Sequence, residues 1–325
     1  MNILVTGGAG YVGSIVAEEL LNQGHDVVIL DNLQQGHKKA VLPEAQFILA
    51  DICNARTLDD VFSQFKIDAV THMAAETVVE YSVTDPKRYF QNNIIGGLNL
   101  LDAMVKHDVH RFIFSSSAAV YGEPQTIPIE EDHPPNPNNA YGESKFIFER
   151  ILDWYRRAYG IRAISLRYFN AAGASERLGE DHRPETHLIP NVLKAALGNS
   201  PVTIFGTDYP TKDGSCIRDY VHVVDIARAH ILALEKVDNL SGGVYNLGSG
   251  TGYSVLEVVE TARKVTGINI PIKVNSKRLG DVATLVASSS RARSELNWKP
   301  GLSELEDIID SAWRWMKQHP KGYES

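Results

Sequence analysis

Ser115-Ser116-Ser117, followed by Tyr141-Gly142-Glu143-Ser144-Lys145, supplies the parts needed to move a proton on and off a hydroxyl group. Tyr141 and Lys145 stand four residues apart, so one face of a helix presents both to the same ligand. A phenol with a reference pKa of about 10 is a poor base at neutral pH, and a nearby ammonium favours its phenolate. Lys145 therefore acts through charge and position, not through a covalent bond. Ser117, just beyond the apolar run Phe112-Ile113-Phe114, is placed to hydrogen-bond the reacting oxygen and guide its proton toward Tyr141.

The proton apparatus needs a redox partner, and the first residues provide for one. Gly8-Ala9-Gly10-Tyr11-Val12-Gly13 has the dinucleotide spacing, and Gly7, Gly10 and Gly13 also repeat at every third position. Missing side chains allow a tight turn and close phosphate approach, while amides around Gly10, Tyr11 and Val12 at a helix start can receive a pyrophosphate. Asp31, 18 positions after Gly13 at the end of Val27–Leu30, can hold both ribose hydroxyls and disfavours a 2′-phosphate, so NAD is preferred over NADP. Asp51 after Phe47–Ala50 is expected at the adenine edge, and Ala74 and Ala75 after His72 let the backbone approach the cofactor. Bound NAD+ would add a second positive charge favouring the Tyr141 phenolate.

No catalytic metal is expected. The histidines and Cys53 and Cys216 lack a ligand spacing, and the run from Gly179 to His187 lacks the HExxH order. A formal charge of −8 and the absence of any basic run give no attraction to nucleic acid or an anionic membrane. Any phosphate must then meet a few placed arginines. The apolar fraction of 43% and charged fraction of 22% belong to a soluble globular chain. The two isolated cysteines, the lack of a signal-peptide pattern and the lack of a bilayer-spanning run make the cytoplasm the expected location.

These groups need a scaffold, and its rhythm is legible. Strands are expected at Ile3–Thr6, Val27–Leu30, Phe47–Leu49, Ala69–His72, Phe112–Phe114 and Arg162–Leu166. Helices are expected at Val12–Leu21, Leu58–Phe65, Pro86–His107 and Tyr141–Tyr159. The alternation predicts an α/β protein: a Rossmann-type parallel sheet with helices on both faces, joined to a smaller mixed α/β cap. The prolines and polar residues of Glu130–Asn139 form a loop. Residues 1–170 are assigned to the cofactor unit. Residues 171–325, with helices near Val224–Lys236, Val255–Thr266 and Leu305–Lys317, are assigned mainly to the cap, with some segments returning to the first unit.

The chain resembles the UDP-glucose 4-epimerase family of extended short-chain dehydrogenase/reductases. The resemblance runs through Asp31-Asn32-Leu33, Phe114–Gly122, Tyr141–Lys145, Leu166–Ala174, Glu180-Asp181-His182, Pro184–Pro190 and Arg218-Asp219-Tyr220. It implies reversible C4 epimerisation of UDP-glucose and UDP-galactose through a 4-keto sugar, with Ser117, Tyr141 and Lys145 as the catalytic trio. It implies cofactor contacts from Asp31, Asp51 and Asn92, in a shell that also takes in Asn32, Ile52, Ser115 and Tyr168. Substrate contacts are implied for Asn170, His187, Leu188, Thr203, Phe205, Arg218, Arg278 and Asp281, the two arginines suiting a diphosphate.

A homodimer is implied as well, through the helices near Asn92–His107 and Tyr141–Tyr159, with Leu98, Leu101, Ile147 and Ile151 as interface candidates. Three positions depart from the common pattern without removing a reacting group: Ala140, Gly97 and Ala50 replace a proline, a threonine and a glycine. Thr77 stands where some relatives carry a cofactor-contacting lysine. Leu285, near the sugar, leaves UDP-N-acetylhexosamines and UDP-pentoses as alternative substrates. Ala118-Ala119 replaces the acidic pair of sugar-nucleotide 4,6-dehydratases, which disfavours that chemistry. A noncatalytic NAD-binding role is disfavoured by the retained trio.

Overall fold

Strands written as near-continuous apolar runs are buried on both faces, and alternate residues divide between two cores. The computed structural model describes every residue except 199, 241, 278–281 and 325, so the expected substrate residues Arg278 and Asp281 lie outside the described residues. In chain order the strands are β1 (Asn2–Thr6), β2 (Asp26–Asp31), β3 (Gln46–Leu49), β4 (Ala69–His72), β5 (Arg111–Ser117), β6 (Arg162–Tyr168), β7 (Asn170–Ala172), β8 (Val202–Phe205), β9 (Ile217–His222), β10 (Gly243–Leu247), β11 (Gly252–Ser254), β12 (Ile272–Asn275) and β13 (Thr284–Leu285). Ile3 and Val5 of β1 join one core with Ile15 and Val16 of the helix Tyr11–Asn22. Leu4 faces the other way, into a core with Leu58, Phe62, Leu100 and Phe148.

Seven strands form one sheet in the order β10-β6-β5-β4-β1-β2-β3, every neighbouring pair parallel. The chain runs outward from β1 through β2 to β3, then returns to place β4 on the other side of β1. The carboxyl ends of β1 and β4 therefore flank the point where the winding reverses, where an open α/β sheet leaves its ligand crevice. The outer strand beside β6 comes from the second half of the chain, as does the helix Val223–Lys236, whose Ile226, Ala229 and Leu234 share the core of Ile3 and Ile15.

The cap is built around β9, which pairs with β7, β11 and β13, and a separate parallel pair, β8 and β12. Its own core joins the helices Leu188–Gly198, Val255–Thr266 and Leu305–Gln318. Among the described residues, no helix is long and apolar enough to cross a membrane.

Two elements differ from expectation in ways that bear on the site. Strand β5 continues past Phe114 to Ser117, because Ser115, Ser116 and Ser117 pair with Leu166, Arg167 and Tyr168 of β6. The stretch Pro86–His107 is not one uniform helix: a wider π-helical turn, Gln91–Gly96, separates α-helices Pro86–Phe90 and Gly97–Lys106. Such turns often mark functional sites. Here it turns buried Asn93 inward, where Nδ2 donates to the Glu76 carbonyl at 3.1 Å and to Ser144 Oγ at 3.0 Å, and Oδ1 accepts from the Glu76 amide at 2.8 Å.

Candidate functional site

The glycine-rich turn leaves β1 and enters the helix Tyr11–Asn22 with Gly10 as its extended N-cap, no capping side chain and no acidic residue in the first turn. The first amides of that helix are thus left for an anion. Gly7 has φ +74°, and a β-carbon there would come within 2.5 Å of the Ala74 amide nitrogen. At Gly13 it would lie 2.1 Å from the Gly7 carbonyl oxygen, whereas at Gly10 the nearest approach is 3.4 Å. The protein itself therefore requires glycine at position 13 but not at position 10, where the space faces the cavity. Gly13→Ala is expected to destabilise the fold by about 1–3 kcal/mol. Gly10→Ala is expected to keep the melting temperature while weakening NAD binding; calorimetric titration checks this, and unchanged affinity would argue against phosphate at this turn.

Asp31 fastens the turn to the next strand. Its Oδ2 accepts from the Ala9 amide at 3.0 Å and its Oδ1 from the Leu33 amide at 2.8 Å, leaving further lone pairs for ribose hydroxyls. Burial raises its pKa, and the two amides act against that rise. Asp51 accepts from Asn32 Nδ2 at 3.1 Å and from the Cys53 amide at 2.7 Å. Both interactions favour its charged form, and its pKa is lowered although desolvation acts the other way.

A cavity of about 400 Å³ joins the two ends of the chemistry. Gly7, Gly10, Tyr11, Val12, Gly13, Asp31 and Asn32 line one end, Ile52, Ala74, Ala75 and Asn92 its flank. Ser115, Ser117, Tyr141, Tyr168, Asn170 and His187 line the rest. Thr77 also lines it. Asp51, which is exposed, and Lys145, which is buried, do not line it. Leu188, Thr203, Phe205 and Arg218, expected at the substrate, do not line it. Thr203 and Phe205 lie in β8, and Arg218 in β9 donates Nη1 to the carbonyls of Ile217 and Val282 at 2.9 and 2.7 Å. Phe169, Glu180 and His182 line the cavity without having been singled out for it. All three fall within stretches that carry the family resemblance, but only their neighbours Tyr168, Asn170 and His187 were assigned a contact.

The helix Ala140–Tyr159 starts where Asn139 Oδ1 accepts from the Gly142 amide at 2.8 Å, which sets Tyr141 in its first turn. Burial pushes the Tyr141 phenol above its ordinary pKa, and a hydrogen bond with Ser117 opposes the rise. Ser117 Oγ also accepts from the Ala119 amide at 3.1 Å. Lys145 Nζ donates to the Ser115 carbonyl at 2.8 Å and lies 5.8 Å from the Tyr141 ring centre. Burial pushes Lys145 down to about 7, with Glu149 acting against the shift.

A lysine depressed in the folded state is neutral there, yet still charged in the unfolded chain, between about 7 and its ordinary 10.5. The unfolded state binds the extra proton, so stability rises with pH across that window, and the burial penalty is fully present only below about 7. Cofactor-stripped protein should therefore gain stability relative to Lys145→Met as pH rises above 7. Parallel denaturant titrations of the two would show it.

Beneath the serines lies a buried polar network. Ser116 Oγ donates to Glu149 Oε1 at 2.6 Å, and Arg167 grips both carboxylate oxygens of Glu149 through Nε at 2.9 Å and Nη2 at 2.6 Å. Arg167 Nη1 also donates to the Tyr121 hydroxyl at 2.8 Å, which donates to Asn246 Oδ1 at 2.7 Å. The Glu149 and Arg167 side chains are only 6% and 4% exposed. The network ties β5, the helix carrying Tyr141, β6 and β10 together through Ser116, the neighbour of Ser117. At the opposite wall, Glu180 accepts from His187 Nδ1 at 2.7 Å and His182 Nδ1 at 2.9 Å. Desolvation opposes it, but the two rings hold the Glu180 carboxyl well below the usual carboxylate range, and Glu180 with Glu185 holds His187 above its ordinary value against its own burial.

Residues 3–248 match the NAD dependent epimerase/dehydratase family. A protein of Lacticaseibacillus casei named UDP-glucose 4-epimerase is 50% identical over 99% of both chains. A crystal structure of a UDP-glucose 4-epimerase superposes with a TM-score of 0.97 at 46% identity, covering 100% of both chains. The UDP-glucose 4-epimerase of Bifidobacterium longum, solved in complex with NAD+ and UDP, superposes with a TM-score of 0.95 at 39% identity, covering 99% of this chain and 100% of the other.

Proposed function

Because the chain belongs to the NAD dependent epimerase/dehydratase family, we propose that the cavity between the glycine-rich turn and Tyr141 is where it inverts C4 of a UDP-sugar. It is an NAD-dependent enzyme that interconverts UDP-glucose and UDP-galactose through a 4-keto sugar. The observation that carries the site assignment is the single cavity that both the uncapped helix start at Gly10 and the Tyr141–Ser117 pair line. Bound NAD supplies a reversible hydride acceptor; its pyrophosphate would lie on the amides after Gly10 and its ribose hydroxyls on Asp31.

Tyr141 takes the proton from the sugar O4 hydroxyl as C4 is oxidised to a ketone, and Ser117 holds that oxygen in place. Lys145, fixed on the Ser115 carbonyl, biases Tyr141 toward phenolate whenever it carries its proton. The keto sugar then turns, and Tyr141 returns the proton to O4 as C4 is reduced from the opposite face. UDP is the anchor for this turn, held by His187, Leu188, Thr203, Phe205 and Arg218, with Arg278 and Asp281 beyond the described residues. Weak sugar contacts let either pose react, since favouring one pose would oppose turnover.

Residues 1–170 supply the cofactor unit and most of 171–325 the UDP-sugar cap, with β10 and Val223–Lys236 returning to the first unit. The working form is a homodimer in the cytoplasm. Val83, Ile95, Trp154 and Tyr159, each about half exposed or more, support a paired-helix face on the segments 79–106 and 140–159, and the two free cysteines support a reducing compartment. Leu98, Ile147 and Ile151 are partly exposed along it, but Leu101 is fully buried with Phe112 and Phe148 and belongs to the monomer core. A solution mass of one chain would remove the dimer.

UDP-galactose deuterated at C4 tests the chemistry. NAD-loaded protein should yield UDP-glucose that keeps the label, and loss of label to solvent or absence of product would overturn the assignment. UDP-N-acetylglucosamine belongs in the same substrate panel, because Leu285 packs against the cluster of Phe169, which lines the cavity.

A further inference from the structure

The segment between β7 and the helix Leu188–Gly198 gathers four metal-ligating side chains that the epimerisation chemistry does not require as a set. Glu180, His182, Glu185 and His187 each present one ligand atom, and these atoms all lie within 4.8 Å of one another. Glu180 is buried, and the imidazole rings of His182 and His187 are 5.1 Å apart. Glu185 is only 5% exposed through its side chain, and its Oε2 has no hydrogen-bond partner, the nearest ammonium, Lys194 Nζ, being 4.0 Å away. An unsatisfied buried oxygen on a carboxylate whose other oxygen, Oε1, already meets the His187 imidazole at 3.1 Å is costly unless something occupies the space.

We propose that Glu180, His182, Glu185 and His187 form a four-coordinate site for a divalent ion of the zinc class, clasping the 180–187 segment against the wall of the cofactor cavity.

Two imidazole nitrogens and two carboxylate oxygens make a donor set suited to Zn2+, and harder ions that prefer six oxygens are poorly served by it. Zinc bonds of about 2.1 Å set tetrahedral ligand–ligand edges of about 3.4 Å. The present contacts of 2.7 Å from Glu180 to His187, 2.9 Å from Glu180 to His182 and 3.1 Å from Glu185 to His187 need to open only slightly. The site is structural, since no sugar atom needs to meet the ion. It joins the wall next to Tyr11, whose ring meets His182 edge-on at 6.0 Å, to the start of the helix Leu188–Gly198.

The full chain with NAD bound, freed of metal by chelation and dialysis, is titrated with Zn2+, Co2+ and Mg2+. One Zn2+ per chain is expected, with a rise in melting temperature. Co2+ should give the intense visible bands of four-coordinate geometry, and Mg2+ should give no saturable binding. Glu185→Gln keeps the oxygen that accepts from the His187 amide at 2.9 Å yet removes the charge, and His182→Gln removes one imidazole. Each should weaken Zn2+ binding by roughly 100-fold when folded, NAD-loaded protein is compared. If one variant fails to fold, the other decides. Absence of a saturable Zn2+ site in the parent chain, six-coordinate Co2+ spectra, or undiminished binding in a folded variant would each overturn the site and leave a proton as the sole bridge of the cluster.

Discussion

Replacing Tyr141 by Phe lowers the turnover of UDP-galactose by about 10²- to 10⁴-fold, the range that a placed acid–base group contributes. The substitution removes one oxygen from a ring whose hydroxyl is paired with Ser117, leaving the cavity wall and the helix start at Asn139 intact. The KM for UDP-galactose and the melting temperature should therefore stay near those of the parent chain, so that the loss falls on kcat. NAD content is measured alongside, because a variant that loses its cofactor would mimic a chemical defect. A decline of less than about tenfold in cofactor-loaded protein would remove Tyr141 from the proton transfer.

Arg167→Met is expected to destabilise the protein by about 3–5 kcal/mol, the cost of leaving a buried carboxylate without its partner. Glu149 would lose two charge-assisted bonds while remaining almost wholly out of water. Truncating both members, as Arg167→Met with Glu149→Leu, should recover part of that loss, because a buried pair often does little better than apolar groups of similar size. Denaturant unfolding of the two singles and the double resolves the coupling. A single-variant loss below about 1 kcal/mol would mean that the pair is not what holds Ser116 and the strand beneath Ser117.

The geometry of the glycine-rich end of the cavity was legible because local rules govern it. Gly7, Gly13 and Asp31 sit where a strand, a tight turn and a helix follow one another within a short stretch, and each is demanded by a steric or hydrogen-bonding need within that stretch. Tyr141 and Lys145 were legible for the same reason, through the pitch of one helix. Strand β5 was read too short because its serines are polar, and only pairing with β6 extends it to Ser117. The π-helical turn at Gln91–Gly96 escaped notice, since its cause is the tertiary hydrogen bonding of Asn93 and not an apolar period. Glu180 and His182 reach the cavity through the irregular segment after β7, whose path no periodicity encodes. The Glu149–Arg167 pair joins a helix to a strand and becomes visible only when the sheet brings them together.

The seat of β10 beside β6 has a consequence for biosynthesis. A ribosome finishes the first six strands by Tyr168, but the outer edge of β6 then exposes unpaired amides and carbonyls until Gly243–Leu247 emerges. That open edge is a template for mispairing between nascent chains. Slow translation or a nick between the two segments would thus endanger solubility before it touched chemistry, and a fragment ending after β6 would need a surrogate strand to stay dispersed.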